Sequence, residues 1–207
     1  MTVDTGTRRE SPRSKRSNIL AVAIEQFGRV GYEHTKWASI ADEVGIGQTA
    51  LYHYFESKAH CLLTIMRLEL ADSVERFDNA TECVEDPIEA LCAAVTGALI
   101  ATPSDALQRR ILQNHMDLLS GPRQSEKEEA ERLRSRELVQ QIEARWTDLF
   151  ARGMAAGAFA DGDPRTIGRL VLGMIISVWR WYRPDGPLTL EQITESVREA
   201  AVRIARK

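Results

Sequence analysis

Residues 48–53, "QTALYH", combine side chains suited to reading the edges of nucleic-acid bases. On a helix, Gln48, Thr49, Ala50, Tyr52 and His53 form a short polar face with almost no long acidic side chain. A glutamine amide can pair with an adenine edge, and a threonine or alanine methyl can touch thymine. Thr35, Lys36, Tyr52 and Lys58 can supply phosphate contacts, which position a protein without specifying a sequence. Ahead of Ser17 lies a basic arm in which Arg8, Arg9, Arg13, Lys15 and Arg16 face only Asp4 and Glu10. The arm is either a solvated tail or an electrostatic footprint on a flanking backbone, the role assigned to Arg13 and Arg16.

These residues need a scaffold that presents a short helix outward. The stretch "ADEVGIGQTALYHYFESK" begins as an amphipathic helix, breaks at Gly45 and Gly47, and restarts at Gln48. With Trp37 as its first position, a helix-turn-helix of about twenty residues follows. Ile40, Ala41 and Val44 then face inward from one helix, and Leu51 and Tyr54 from the next. Gly45 supplies the left-handed backbone of the turn, and Ile46 plugs it. Ala41 must be small because the second helix crosses close to it. The competing reading is a tight αα-corner without a nucleic-acid role, and the acid-poor outer face argues against it.

The rest of the chain is helical in period, with no alternating runs bounded by hairpin signals, so the fold class is all-α with about nine helices. The spacing predicts helices over about 14–30, 37–44, 48–54, 57–81, 87–101, 102–119, 125–156, 164–183 and 189–206. Ser57 reads as an N-cap and Pro87 as a first-turn proline. The domain organisation follows: a disordered basic arm over 1–13, a three-helix DNA-binding domain over 14–56, and a larger helical body over 57–207.

The segment "GYEHTKWASIADEVGIGQTALYHYFESK" resembles the N-terminal signature of the TetR family of one-component bacterial regulators. Gly31, Tyr32, Thr35, Ile40, Ala41, Gly45, Leu51, Tyr52, Tyr54, Phe55, Ser57 and Lys58 carry the match, over about a seventh of the chain. The resemblance adds Gly47, at the head of the reading helix, to the DNA-binding set. There are departures. Ala38 and Ser39 stand where the family often has Arg followed by an acid, so a phosphate contact is lost at Ala38. Trp37 replaces a smaller apolar residue and either packs on the first helix or reaches DNA with its edge. Gly47 and Thr49 replace a common Ser and Gly, so the operator cannot be borrowed from a relative.

What the resemblance implies for the body is a bound small molecule and a homodimer paired through the last two helices on palindromic double-stranded DNA. The eighth helix is apolar nearly all round and the ninth carries a stripe at helical spacing. Leu170, Ile175, Val178, Tyr182, Ile193, Val197, Ala200 and Ile204 are the candidate interface, with an intramolecular core as the alternative. The corner "WRWYRPDGPLT" resembles the branch that answers to acyl-CoA thioesters, although Arg180, Tyr182 and Arg183 can equally tie a dimer corner together. A ligand site between helices would draw on Leu99, Leu112, Asn114, His115, Leu118, Trp146, Phe150, Met174 and Trp179. Arg123, Arg132, Arg134 and Arg136 either meet phosphates or form a solvated face among glutamates. The implied mechanism is a switch: a ligand that prefers a tilted fourth helix moves paired reading helices off their ~34–36 Å spacing. The small-molecule effector, an acyl-CoA thioester among the possibilities, is the only non-protein group expected. No cofactor and no metal are expected.

Composition fits this reading without compelling it. The 207 residues are 43% hydrophobic and 28% charged, with a net charge of −3 that by itself argues against a nucleic-acid partner. Three cysteines without a C-x-x-C pair point to a reducing compartment and to thiols used as small core hydrophobes. No signal-peptide pattern is visible, and "LVLGMIISVW" is too short to span a bilayer, so the expectation is a cytoplasmic protein that does not enter membranes. His34, His53, His60 and His115 lack metal-ligand spacing, and no G-x-S-x-G, P-loop or G-x-G-x-x-G occurs, which argues against an enzyme. Two functions compete with an effector-controlled regulator of catabolism: a purely structural helical dimer, and a drug-sensing repressor of an efflux gene.

Overall fold

A computed structural model describes residues 12–206, and among them every regular element is helical. Nine α-helices follow in order: α1 Pro12–Arg29, α2 Trp37–Val44, α3 Gln48–Tyr54, α4 Lys58–Thr81, α5 Pro87–Leu99, α6 Pro103–Asn114, α7 Glu126–Ala155, α8 Pro164–Trp181 and α9 Leu190–Ala205. A single 3₁₀ turn, Met116–Leu119, follows α6. The expected arm over residues 1–13 falls mostly outside the described residues. Its last two residues are helical, because α1 begins at Pro12.

The ends of the helices are set by local chemistry. Asp86 and Asp163 each accept two backbone N–H bonds ahead of a first-turn proline. Thr102 with Asp105, and Thr189 with Gln192, form reciprocal capping boxes. Ser57 caps α4 by accepting from the His60 N–H at 2.8 Å. The sixth helix stops earlier than its sequence pattern suggests. His115 leaves the helical region at φ −126° and ψ 19°, and the chain tightens into the 3₁₀ turn.

The chain forms two compact units, residues 1–62 and 63–207. The boundary falls within α4 and not at residue 56. The first turn of that helix belongs to the smaller unit, where Lys58 is bonded to the loop before α2. The smaller unit buries Ile19, Ala23 and Phe27 of α1, Ile40, Ala41 and Val44 of α2, and Leu51 of α3. In the larger unit α7 packs along α8, and α9 packs on α5 and α8. Leu91, Leu99, Phe150, Val171, Ile175 and Val178 lie in its apolar core.

Two glycines are required by this packing. A Cβ on Gly153 would stand 2.1 Å from the Phe159 ring, which folds back under the end of α7. A Cβ on Gly168 would approach the Trp146 backbone at 3.3 Å, so α8 crosses α7 closely there.

The cysteine expectation holds for one thiol in full. Cys61 is buried and pushed well above the ordinary thiol range by burial, whereas Cys83 is exposed and Cys92 half-buried. No single helix among the described residues is long and apolar enough to cross a membrane.

Candidate nucleic-acid interface and buried cavity

The turn between α2 and α3 is closed by Gly45, at φ 73° and ψ 38°. Its N–H donates to Asp42 O at 3.1 Å and the Ile46 N–H donates to Ala41 O at 3.0 Å, which ends α2 with two satisfied carbonyls. No atom lies within 4 Å of where a Gly45 Cβ would be, so backbone conformation alone demands glycine here. Gly47 is the extended N-cap from which α3 starts.

Leu51 is completely buried and anchors α3. Gln48, Thr49, Tyr52 and His53 are exposed, Ala50 is half-buried, and Gly47 is exposed at the helix head. Tyr54, expected inside, is half-buried. Beside α3 lies a shallow groove whose walls include Lys36, Trp37, Ala38, Gln48 and Tyr52. Lys36 is exposed there, Arg13 is exposed on the first turn of α1, and Arg16 is half-buried with its guanidinium 4.6 Å above the Phe55 ring.

Two residues expected at phosphates do other work. Thr35 is 3% exposed, and its hydroxyl donates to Gly31 O at 2.8 Å, so no free hydroxyl faces outward. Lys58 turns its ammonium inward, donating to Tyr32 O at 2.7 Å and Thr35 O at 3.0 Å. These two hold the loop into α2; Lys36 and Tyr52 remain outward. Trp37 packs inside at 9% exposure, and its indole N–H has no hydrogen-bond partner among the described residues.

The larger unit contains a partly open cavity of about 60 Å³ between α4, α5, α6, α7 and α8. Of the nine residues proposed for a ligand, Leu112, Trp146 and Trp179 line it. Leu99 and Phe150 are buried in the core behind it, and Met174 packs against that core half-buried. Asn114 is exposed, because the end of α6 leaves its polar side in solvent. His115 and Leu118 sit half-buried at the break after α6, away from the cavity lining.

The polar residues of the cavity are ones that sequence reasoning passed over. Glu69 is 2% exposed, and its Oε1 accepts from Arg76 Nη2 at 2.6 Å and from Arg109 Nε at 3.1 Å. Arg109 is also buried, donates to Ala98 O and Ile100 O at 3.0 and 2.7 Å, and lies 4.5 Å over the Trp179 ring. Burial pushes the Glu69 carboxyl up from the ordinary carboxylate range, against the pull of Arg76 and Arg109. Burial likewise pulls Arg109 down, against the pull of Glu69. Helix phase held the signal: Met66, Glu69, Ser73 and Phe77 share one face of α4, and Ala106, Arg109 and Leu112 one face of α6.

The arginines offered for phosphates divide in the same way. Arg123 pairs with Glu128, and Arg132 is buried, donating to Glu129 and to Leu119 O. Both secure the loop before α7. Arg134 and Arg136 are exposed. At the corner after α8, Arg110 and Arg183 both donate to Tyr182 O at 3.0 Å, within the chain itself.

The candidate dimer face needs correction too. Ile175, Val178, Ile193 and Val197 are all below 10% exposure within the larger unit's own core, because α8 and α9 pack on each other and on α5. Tyr182 packs half-buried against the same core, and Ala200 is half-buried. Leu170 at 60% and Ile204 at 41% remain outward, joined by Trp181 and Leu188, which the helical stripe did not single out.

The comparisons with known proteins agree with this geometry. Residues 19–65 match the family described as "Bacterial regulatory proteins, tetR family". Residues 84–205 match the "Tetracyclin repressor-like, C-terminal domain". The HTH-type transcriptional repressor KstR2 of Mycolicibacterium smegmatis is 28% identical over 183 residues, which is 88% of this chain and 86% of the relative. KstR2 of Mycobacterium tuberculosis is 29% identical over 188 residues, covering 87% of each. Among solved structures, the TetR family regulator PfmR of Thermus thermophilus superposes with a TM-score of 0.78 at 29% identity, over 89% of this chain and 97% of that one. AibR, solved with isovaleryl coenzyme A and operator DNA, gives a TM-score of 0.76 at 22% identity over 90% and 97%. With the C-terminal match alone extending over more than half of its length, the chain belongs to the TetR family of bacterial regulatory proteins.

Proposed function

We propose that this protein is a cytoplasmic transcriptional repressor, without enzymatic activity, that binds a palindromic operator as a homodimer and releases it when a small effector binds. The carrying observation is the outward face of α3. Gln48, Thr49, Tyr52 and His53 stand free of the fold on a helix anchored by the fully buried Leu51. A helix so held can enter a major groove, and a twofold pair of them reads two half-sites. Leu170, Trp181, Leu188 and Ile204 supply exposed apolar surface for pairing.

The effector reading rests on the cavity and on the company the chain keeps. The cavity walls are mainly apolar and aromatic. One protein of similar fold, AibR, was solved with isovaleryl coenzyme A and operator DNA, and another, KstR2 of Mycobacterium tuberculosis, is a ketosteroid transcriptional regulator. An effector with an apolar body, carried as a coenzyme A thioester, is consistent with both. Helix α4 runs unbroken from Lys58, beside the reading helix in sequence, to Glu69, Ser73 and Phe77 at the cavity. It is the element through which occupancy reaches the DNA-binding unit.

To abolish binding nearly completely, an effector must prefer the released state by ~5 kcal/mol. The test is operator affinity measured by fluorescence anisotropy with and without saturating acyl-CoA thioesters of short, branched and polycyclic acids. A fall in affinity of two or more orders of magnitude with one class is expected. Unchanged affinity across the panel contradicts the acyl-CoA assignment.

A further inference from the structure

Glu69 is an unusual residue to find in the wall of an apolar cavity. Both guanidinium groups that neutralise it converge on Oε1, and no described residue donates to Oε2. Oε2 is not sealed within the fold, so a guest can supply the donor that the fold does not. Arg109 cannot turn to serve a ligand instead, and Arg76, whose Nε has no partner among the described residues, is not part of the cavity wall. Arg109 has its Nε on Glu69, Nη1 on Ala98 O and Nη2 on Ile100 O, with its face against Trp179. Arg76 Nη2 is divided between Glu69 and Ser73 Oγ.

We infer that Glu69 Oε2 is the acceptor for a hydroxyl group on the apolar part of the effector, so that the cavity selects an uncharged alcohol over a ketone or a carboxylate of the same skeleton. This rests on the reading above that the cavity seats the effector's apolar part. A hydroxyl gives the carboxylate a charge-assisted hydrogen bond. A ketone brings only an acceptor, and a carboxylate brings a second negative charge into a low-dielectric space where the guanidinium in the wall, Arg109, already has its donors engaged. Phe77, Trp146 and Trp179 supply the apolar walls for the ring or chain that carries the hydroxyl.

The cavity has room for about four waters, so small probes suit it. Trp146 and Trp179 report occupancy through their emission. Cyclopentanol, cyclopentanone and cyclopentanecarboxylate should be titrated into the full-length protein at constant ionic strength. The expected result is that the alcohol binds at least ~10-fold tighter than the ketone, with the carboxylate weakest. In Glu69→Gln, whose amide N–H can donate, the alcohol preference should fall to within about twofold and the ketone should gain. Equal affinities for all three probes in the wild type overturn the selection by Glu69 and leave the cavity as the effector seat. No emission change with any probe overturns the seat itself, and the inference with it. The wild-type series decides the matter even if the glutamine variant does not fold.

Discussion

The Lys58 ammonium lies 4.3 Å from the centroid of the Tyr32 ring and donates to that residue's own carbonyl oxygen at 2.7 Å. A second bond, to Thr35 O at 3.0 Å, fixes the loop between α1 and α2 at both ends. The lysine therefore sets the entry of α2 from within the fold, although its place in the family signature suggests a phosphate ligand.

Lys58→Met separates these roles. Loss of two hydrogen bonds from a half-buried ammonium should destabilise the smaller unit by ~1–2 kcal/mol. Operator affinity should fall, but the slope of log K against log salt should stay within error of the wild type. A phosphate ligand would instead lower that slope by ~1.8, ~0.9 for each protomer of the dimer. Chemical denaturation and a salt titration of operator binding measure the two effects separately.

Gln48 is placed to read a base. Gln48→Ala should weaken specific binding by ~1–3 kcal/mol per half-site and relax preference at one position in each half-site, with binding to random duplex unchanged. Competition titrations against single-base operator variants check this.

Asp78 on α4 accepts from Arg145 Nε and Nη2 at 2.6 and 2.7 Å. These hydrogen bonds hold its carboxyl below the usual carboxylate range. The stabilisation is present above the unfolded value of ~3.9 and is lost as pH falls through the depressed folded value. Asp78→Asn should cost ~0.5 kcal/mol at neutral pH, because the pair is half exposed, and the two proteins should begin to converge in stability as pH falls below about 4. Urea melts of both proteins across pH 3–7 test the sign; a difference that grows on acidification contradicts it.

Much of this arrangement was legible because it is local. Gly45, Ile40, Ala41 and Leu51 announce the helix-turn-helix through a fixed register of small, apolar and turn-forming positions. Pro87, Thr189 and Ser57 announce helix starts through their own hydrogen-bonding chemistry. What was not legible depends on distant partners. A stripe such as Ile175, Val178, Ile193 and Val197 looks the same whether it meets its own chain or a second copy. The Glu69–Arg109 pair joins residues forty positions apart, and although helix phase puts each on an apolar face, nothing near either names its partner. Thr35 and Lys58 have the right types for phosphate, but only the fold shows that carbonyl oxygens already hold them.

Gly153 tests the packing at the end of α7. Gly153→Ala forces a methyl group into the Phe159 ring, so the larger unit should lose ~1–3 kcal/mol. Thermal unfolding followed by near-ultraviolet circular dichroism reads the loss at the aromatic cluster of Phe150 and Phe159.

Leu170 and Ile204 carry the pairing proposal. Leu170→Glu with Ile204→Glu should leave each chain folded, since both side chains are exposed, but shift the protein to monomer in sedimentation and reduce operator affinity at least ~100-fold. A dimer that persists in the double variant places the interface elsewhere.

The most direct measurement is selection of the purified protein on a library of random duplexes, followed by titration of the enriched sequence and a scrambled competitor at physiological salt. The outward face of α3 predicts enrichment of an inverted repeat bound at least ~1,000-fold tighter than the scrambled duplex, with the preference lost in Gln48→Ala combined with Tyr52→Ala. Enrichment of no sequence, or equal affinity for the two duplexes, contradicts the account.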